Sequence, residues 1–290
     1  MSRIYMDHAA TTPLRPEVLE SMLPYLKEEF GNPSSVYSWG RGARQALDAA
    51  RDTVSSLLGA SAKEIIFTSG GSEAANMALK GVALANQNRG KHIITSAIEH
   101  HAVLDSVLWL EKQGFKITIL PVDEDGLVSP GKVKKALQSD TILVSIMHAN
   151  NEVGTIQPIH EIGSLVREHG AYFHTDAVQT AGVMDLKVDE LNCDLLSLSA
   201  HKFYGPKGVG ALYVRKGVRL DPLIHGGAQE KRRRAGTENV AGIVGLAKAY
   251  EFAQATRGEE NDRLIKLRDR LIPGLLEIPH TKVNGSLEKR

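Results

Sequence analysis

A single cysteine, Cys193, occurs among the 290 residues. No intramolecular disulfide can form, and a zinc or iron–sulfur site built from several cysteines is excluded. An excess of charge of one sign is also missing: 35 basic residues face 34 acidic ones, a formal net charge of +1. That balance offers no bulk attraction to nucleic acid or to an anionic membrane. No uninterrupted apolar run approaches the length of a membrane span. The opening stretch to Pro13 places Asp7 and His8 where a signal peptide needs an apolar core. Internal repeats and low-complexity tracts are lacking too. The expectation is a soluble cytoplasmic protein with no direct nucleic-acid or membrane partner. At 42% hydrophobic residues the chain is ordinary for a globular protein, long enough for one large domain or two unequal ones.

Short β-branched runs alternate with longer amphipathic segments. The pattern predicts strands at Glu64–Thr68, His92–Ser96, Ile117–Pro121, Ile142–Met147, Ala171–His174, Leu195–Ser199 and Gly210–Val214. It predicts helices at Pro16–Phe30, Arg41–Gly59, Ser72–Asn86, Val103–Gln113, Ser129–Ala136 and Pro158–Glu168. Such alternation marks crossover units feeding a mainly parallel sheet, so the fold class is α/β. Several strands are apolar throughout, as burial on both faces requires. The last strands follow closely without long helices between them, which predicts an antiparallel portion. Beyond Asn239 a helix over Val240–Ala255 and another over Glu259–Leu271 are expected, with Thr256–Gly258 as the joint where a second domain begins. Only that helix and one strand would fit in the residues that follow, too little for a separate core.

Ligands of α/β sheets sit beyond the carboxyl ends of strands, which draws attention to five places. In Thr68-Ser-Gly-Gly-Ser72, two glycines turn from a strand into a helix whose first N–H groups could face a phosphate; a plain turn capped by Ser72 is the competing reading. His100 follows the second strand and could serve as base, metal ligand or ring-stacking group. Asn150 and Asn151 could bond a substrate or a ring oxygen, or simply form a turn. Asp176, just past a buried strand, suits a metal site with His174, a protonated ring nitrogen or a helix cap. Lys202 follows an apolar strand and precedes a Gly/Pro-rich turn, a setting that lowers an amine's pKa and makes it nucleophilic. Pyridoxal phosphate needs a Schiff-base lysine, a carboxylate against its ring nitrogen and a phosphate cradle. Lys202, Asp176 and the Gly70–Gly71 turn supply all three, and His100 could stack on the ring. A metal hydrolase built on His174 and Asp176 leaves the lysine and the glycines unexplained, so no metal site is expected.

The sequence resembles the cysteine desulfurases of the NifS/IscS type, within the class V aminotransferases of PLP fold type I. The resemblance is carried by Tyr5-Met-Asp-His-Ala-Ala-Thr-Thr-Pro13, Gly31-Asn-Pro-Ser-Ser35, Glu99-His-His-Ala-Val103 and Asn150-Asn-Glu-Val-Gly154. It continues in His174-Thr-Asp-Ala-Val-Gln179, Ser199-Ala-His-Lys202 and Arg234-Ala-Gly-Thr-Glu-Asn239. It implies a mainly parallel mixed sheet flanked by helices, with residues 15–256 as the PLP-binding domain. Residues 257–290 would then be the start of an incomplete small α+β domain, to which residues 1–14 also belong. The resemblance further implies that Lys202 carries the Schiff base, Asp176 pairs with the ring nitrogen, His100 stacks and shuttles protons, and Gln179 bonds the ring hydroxyl. Gly71, Ser72, Ser199 and His201 would hold the phosphate, joined by Thr237 from the other subunit of a homodimer, and Asn151 would help hold substrate or ring. The implied reaction converts L-cysteine to L-alanine, with sulfur leaving as a persulfide for iron–sulfur assembly or tRNA thiolation.

Two departures stand out. The cysteine and the substrate-binding arginine of the family lie beyond residue 290, and Cys193 begins a buried strand, where a thiol is usually inert. The expectation is therefore of a chain lacking its C-terminal part, with little activity by itself. Tyr37 stands where the family often has histidine. A selenocysteine lyase and a non-catalytic sulfur-pathway partner are the alternatives. The Lys231–Arg234 run lacks interleaved aromatics and reads as a solvated or dimer-interface loop, not a nucleic-acid patch.

Overall fold

A computed structural model describes residues 3–290. Its centre is a seven-stranded sheet in the order β1-β7-β6-β5-β4-β2-β3. The strands are β1 (Ile65–Thr68), β2 (His92–Ser96), β3 (Lys116–Leu120), β4 (Thr141–Ser145), β5 (Tyr172–Asp176), β6 (Leu195–Ser199) and β7 (Gly210–Val214). From β6 to β3 every pairing is parallel, whereas β7 runs antiparallel to both β6 and β1. The short β6–β7 connection dictates this, since a parallel return needs a crossover of a dozen residues or more.

Apolar side chains alternate between the two faces along single strands. Ile65 and Phe67 enter one core and Ile66 the other; Ile94 and Ile93, then Leu196 and Leu195, divide likewise. The first core is covered by α1 (Pro16–Lys27), α2 (Ser38–Leu58) and α7 (Ile159–His169), with α6 (Pro130–Ala136) at its edge. The second is covered by α3 (Gly71–Asn76), a π-helical turn over Met77–Gly81, α4 (Val82–Asn86) and α5 (His101–Lys112). The expected single helix over Ser72–Asn86 is thus one continuous helical path with a wider turn in its middle. A short α8 (Gln229–Arg232) precedes α9 (Val240–Leu276).

The expected joint at Thr256–Gly258 is not there. α9 is one helix of 37 residues running straight through it. A mid-helix glycine costs only about 1 kcal/mol relative to alanine, too little to break a helix anchored by tertiary contacts. Here the anchor is Val240–Tyr250, whose buried residues lie against α1 and α2, while Leu264, Leu267 and Leu271 are exposed. No strand forms after α9 among the described residues. The last residues return to the segment after β4 instead: Ser286 N–H donates to Thr155 Oγ1 at 3.1 Å, and Ile156 N–H to the Lys289 carbonyl at 2.9 Å. At the other end, Thr12 N–H donates to the His201 carbonyl and Tyr204 N–H to Thr12 Oγ1. The opening segment is therefore tied to the turn that follows β6.

Candidate active site

The carboxyl ends of the parallel strands converge on one cavity of about 260 Å³. The end of β1 contributes Gly71 and Ser72, and that of β2 contributes His100. The segment after β4 adds Asn151, that after β5 adds Asp176 and Gln179, and that after β6 adds Ser199, His201 and Lys202. Nine of the ten residues expected at the site meet here. Thr237 does not: it is exposed and lines a separate small cavity with Ser69 and Arg234.

The β1–α3 turn explains its two glycines. Gly70 has φ 152° and ψ −177°, a conformation essentially reserved for glycine. A Cβ on Gly71 would lie 2.8 Å from Val178 Cγ2 and fill the cradle. The first-turn N–H groups have no acceptor within the helix and remain available to an anion. Glu73 braces the turn, accepting from Ser69 N–H at 2.7 Å and from Arg234 at 2.8 Å. Burial works against ionising Glu73, but these bonds outweigh it and lower its pKa.

Asp176 is buried at the end of β5. Its Oδ1 accepts from Val178 N–H at 2.9 Å, and among the described residues nothing donates to Oδ2. Burial raises its pKa, opposed by that N–H, by His100 and by Lys202. Lys202 is half-buried and its pKa is lowered, chiefly by desolvation and against the pull of Asp176 and Asp7. Its Nζ donates to the carbonyls of Ala9 and Ala10, and Gln179 Nε2 also donates to Ala9, at 3.0 Å. His201 Nδ1 pairs with Thr11 Oγ1 at 3.0 Å. The N-terminal segment thus holds Lys202 and Gln179 from above, a contact that local sequence spacing does not reveal.

His100 is the N-cap of α5, its Nδ1 accepting from Ala102 N–H at 3.0 Å. A neutral ring therefore carries its proton on Nε2. Asn150 and Asn151 divide the two readings offered for them. Asn150 is the turn residue, its Oδ1 accepting from Glu152 and Val153 and its Nδ2 donating to the Ile98 carbonyl, while Asn151 lines the cavity. His174 is fully buried between Ser145 Oγ at 2.8 Å and Ser197 Oγ at 2.9 Å, and burial pushes its pKa down to about 3. Both ring nitrogens are taken by the sheet, so it cannot join Asp176 in holding a metal. Cys193 is 0% exposed and burial pushes its thiol up to about 12, the opposite of a nucleophile's environment.

Two features escaped the sequence reading. Glu99 is buried immediately before His100; an acid directly after Ala97-Ile98 at a strand end was the available signal. The other is the Arg51–Glu230 ion pair at 2.5 Å, 179 residues apart, for which no local signal exists. It pins the loop bearing Arg234 and Thr237 to β1, since Arg51 also donates to the Ile65 carbonyl and Phe67 N–H to Glu230.

The residues fit pyridoxal phosphate. A buried carboxylate with a free oxygen, a partly desolvated amine and a side-chain-free anion cradle share one cavity. The family model for aminotransferase class V matches residues 4–290. This chain belongs to the class V aminotransferase family. It is 61% identical to cysteine desulfurase IscS of Methanosarcina thermophila over 287 residues, 99% of this chain and 71% of that relative. It is 58% identical to cysteine desulfurase IscS of Clostridium botulinum (strain Hall), covering 98% of this chain and 72% of that one. Among solved structures, a NifS-like protein superposes with a TM-score of 0.96 at 44% identity, covering 99% of this chain and 79% of the other. A structure described as SspA in complex with cysteine gives 0.84 at 47% identity, covering 86% and 72%. These relatives bear out the family, the fold type and the desulfurase reading. They do not bear out the two alternatives or the expectation of a chain inactive through truncation.

Proposed function

We propose that this class V chain is a PLP-dependent cysteine desulfurase that takes sulfur from L-cysteine, yields L-alanine and passes the sulfur to an acceptor thiol. The observation that carries it is Lys202 and Asp176 facing one cavity with the Gly70–Gly71 cradle. Lys202 would hold the cofactor covalently and Asp176 its ring nitrogen. Gly71, Ser72, Ser199 and His201 would hold the phosphate, Gln179 the ring hydroxyl, and Asn151 the ring or substrate. When bound, the cofactor supplies an electron sink that makes the substrate Cα proton removable. His100, held by its cap bond, flanks the cavity where its ring can stack and its Nε2–H can donate a proton. Lys202 is suited to accept or return a proton, because desolvation lowers its pKa.

Cys193 does not take the sulfur, given its burial. Thr237 would complete the phosphate site of a second copy in a homodimer, which accords with its exposure and its distance from the chain's own cavity. Sulfur acceptors in iron–sulfur assembly or tRNA thiolation, and action in the cytoplasm, belong to the same reading. No described helix is long and apolar enough to cross a membrane. The test is the visible absorbance of the protein after adding pyridoxal phosphate and gel filtration, with alanine and sulfide release from L-cysteine under a thiol reductant. A retained band that Lys202→Ala abolishes is expected. A band unchanged in Lys202→Ala refutes the assignment.

A further inference from the structure

Glu99 is a buried carboxyl that the cofactor assignments above leave without a role. It is 5% exposed in the turn between β2 and α5, one residue before His100. Its Oε1 accepts from Ser96 Oγ at 2.6 Å and from Met147 N–H at 2.8 Å. Its Oε2 is buried with no partner among the described residues. One carboxyl oxygen thus joins the end of β2 to the segment after β4, while the other meets no donor. The same turn is held a second time by Asn150 Nδ2 on the Ile98 carbonyl at 2.9 Å.

An ionised carboxylate would be costly here, because its unpaired oxygen would carry charge without any hydrogen bond. Among the described residues, no cation acts on it. β2 presents Ser96, and the segment after β4 presents the Met147 N–H and the buried, neutral His148, which pairs with Thr180. β5 ends in Asp176, and the Asp176 charge is the one that acts on Glu99. His100 and Lys202 instead act on Asp176.

We propose that Glu99 is a positioning residue of this cleft: as the neutral acid it clamps the β2 end to the segment after β4, sets His100 in place, and leaves Asp176 the one buried carboxylate charge beside the cavity. This rests on the pyridoxal phosphate reading of the site. Desolvation, in agreement, pushes the Glu99 pKa up to about 8. A carboxyl raised in this way holds its proton longer in the folded state. Its contribution to stability is full below the unfolded value of 4.5 and is lost as pH rises through about 8.

The experiment compares wild type, Glu99→Gln and Glu99→Met by thermal unfolding of the cofactor-free protein from pH 5 to 8.5, and by titration with pyridoxal phosphate. Gln keeps the acceptor and has no proton to lose, so its midpoint should gain on wild type steadily as pH rises, with cofactor affinity within about threefold. Met removes the acceptor and leaves the Met147 N–H unsatisfied, so affinity should fall about tenfold. A wild-type–Gln gap that does not change with pH overturns the neutral acid. Equal affinity in all three proteins overturns the positioning role, and so does a Met variant recovered only as aggregate beside a normal Gln variant, since the clamp then serves folding alone. Wild type that binds no cofactor overturns the function reading itself, a result separate from a binding wild type whose gap is flat.

Discussion

Gly70→Ala should damage this protein through its backbone alone. The added Cβ has room, its nearest neighbour being Ser199 Oγ at 3.8 Å. The cost comes from φ 152° and ψ −177°, where a side-chain-bearing residue is strained by roughly 1–3 kcal/mol. With about 2.1 cal/mol/K of unfolding entropy per residue, that strain lowers the thermal midpoint by about 2–5 °C. If the turn relaxes instead, the strain disappears but the N–H groups of Gly71 and Ser72 swing away from the proposed phosphate position. Hydrogen bonds to a charged group contribute about 1.5–3 kcal/mol each, so losing one weakens phosphate-bearing cofactor by about tenfold to a hundredfold. Calorimetry of the cofactor-free protein and fluorescence titration with pyridoxal phosphate separate the two routes. Gly71→Ala serves as the contrast, because its Cβ collides with Val178 Cγ2 at 2.8 Å and should weaken binding by occupying the cradle. Unchanged midpoint together with unchanged affinity in Gly70→Ala would refute the conformational argument.

Breaking the buried pair with Arg51→Met should cost about 3–5 kcal/mol, because Glu230 is left charged and buried; Arg51→Met/Glu230→Leu should recover most of it, as urea unfolding of both will tell. Cys193 should resist maleimide in the folded protein and react only on unfolding, and Cys193→Ala should leave desulfuration in the presence of a reductant unchanged; rapid labelling of the native thiol would contradict its burial. His174 binds its proton far more weakly folded than unfolded, so its contribution to stability falls as pH drops from 6.5 toward 3. Acidifying from pH 6.5 to 5 should remove about 2 kcal/mol, and a His174→Gln variant should show a flatter acid limb by circular dichroism.

The strand ends, and with them most of the site, were legible because parallel α/β sheets impose two local regularities. Buried strands such as Ile142–Val144 are continuously apolar, and the turns that follow carry the polar chemistry, so Gly71, His100, Asp176 and Lys202 each announce themselves within a few residues. The antiparallel β7 was legible for the same reason, through the shortness of its connection. The break expected at Thr256–Gly258 failed because helix continuity is decided by what the helix packs against, and α1 and α2 hold the first half of α9 firmly.

What the sequence alone determined was therefore chemical inventory and local geometry: a lone cysteine, a lysine and an aspartate after apolar strands, and glycines where a cradle must be bare. Tertiary structure decided everything that depends on residues far apart in the chain. It closed Lys202 and Gln179 under the carbonyls of Ala9 and Ala10, and it paired Arg51 with Glu230 across 179 residues. It also buried Cys193 and His174 into structural roles and left Glu99 with one bare oxygen. The physical reason is desolvation: an ionisable side chain carries its chemistry in its residue type, but which form it takes depends on the water and charges that only the folded chain removes or supplies.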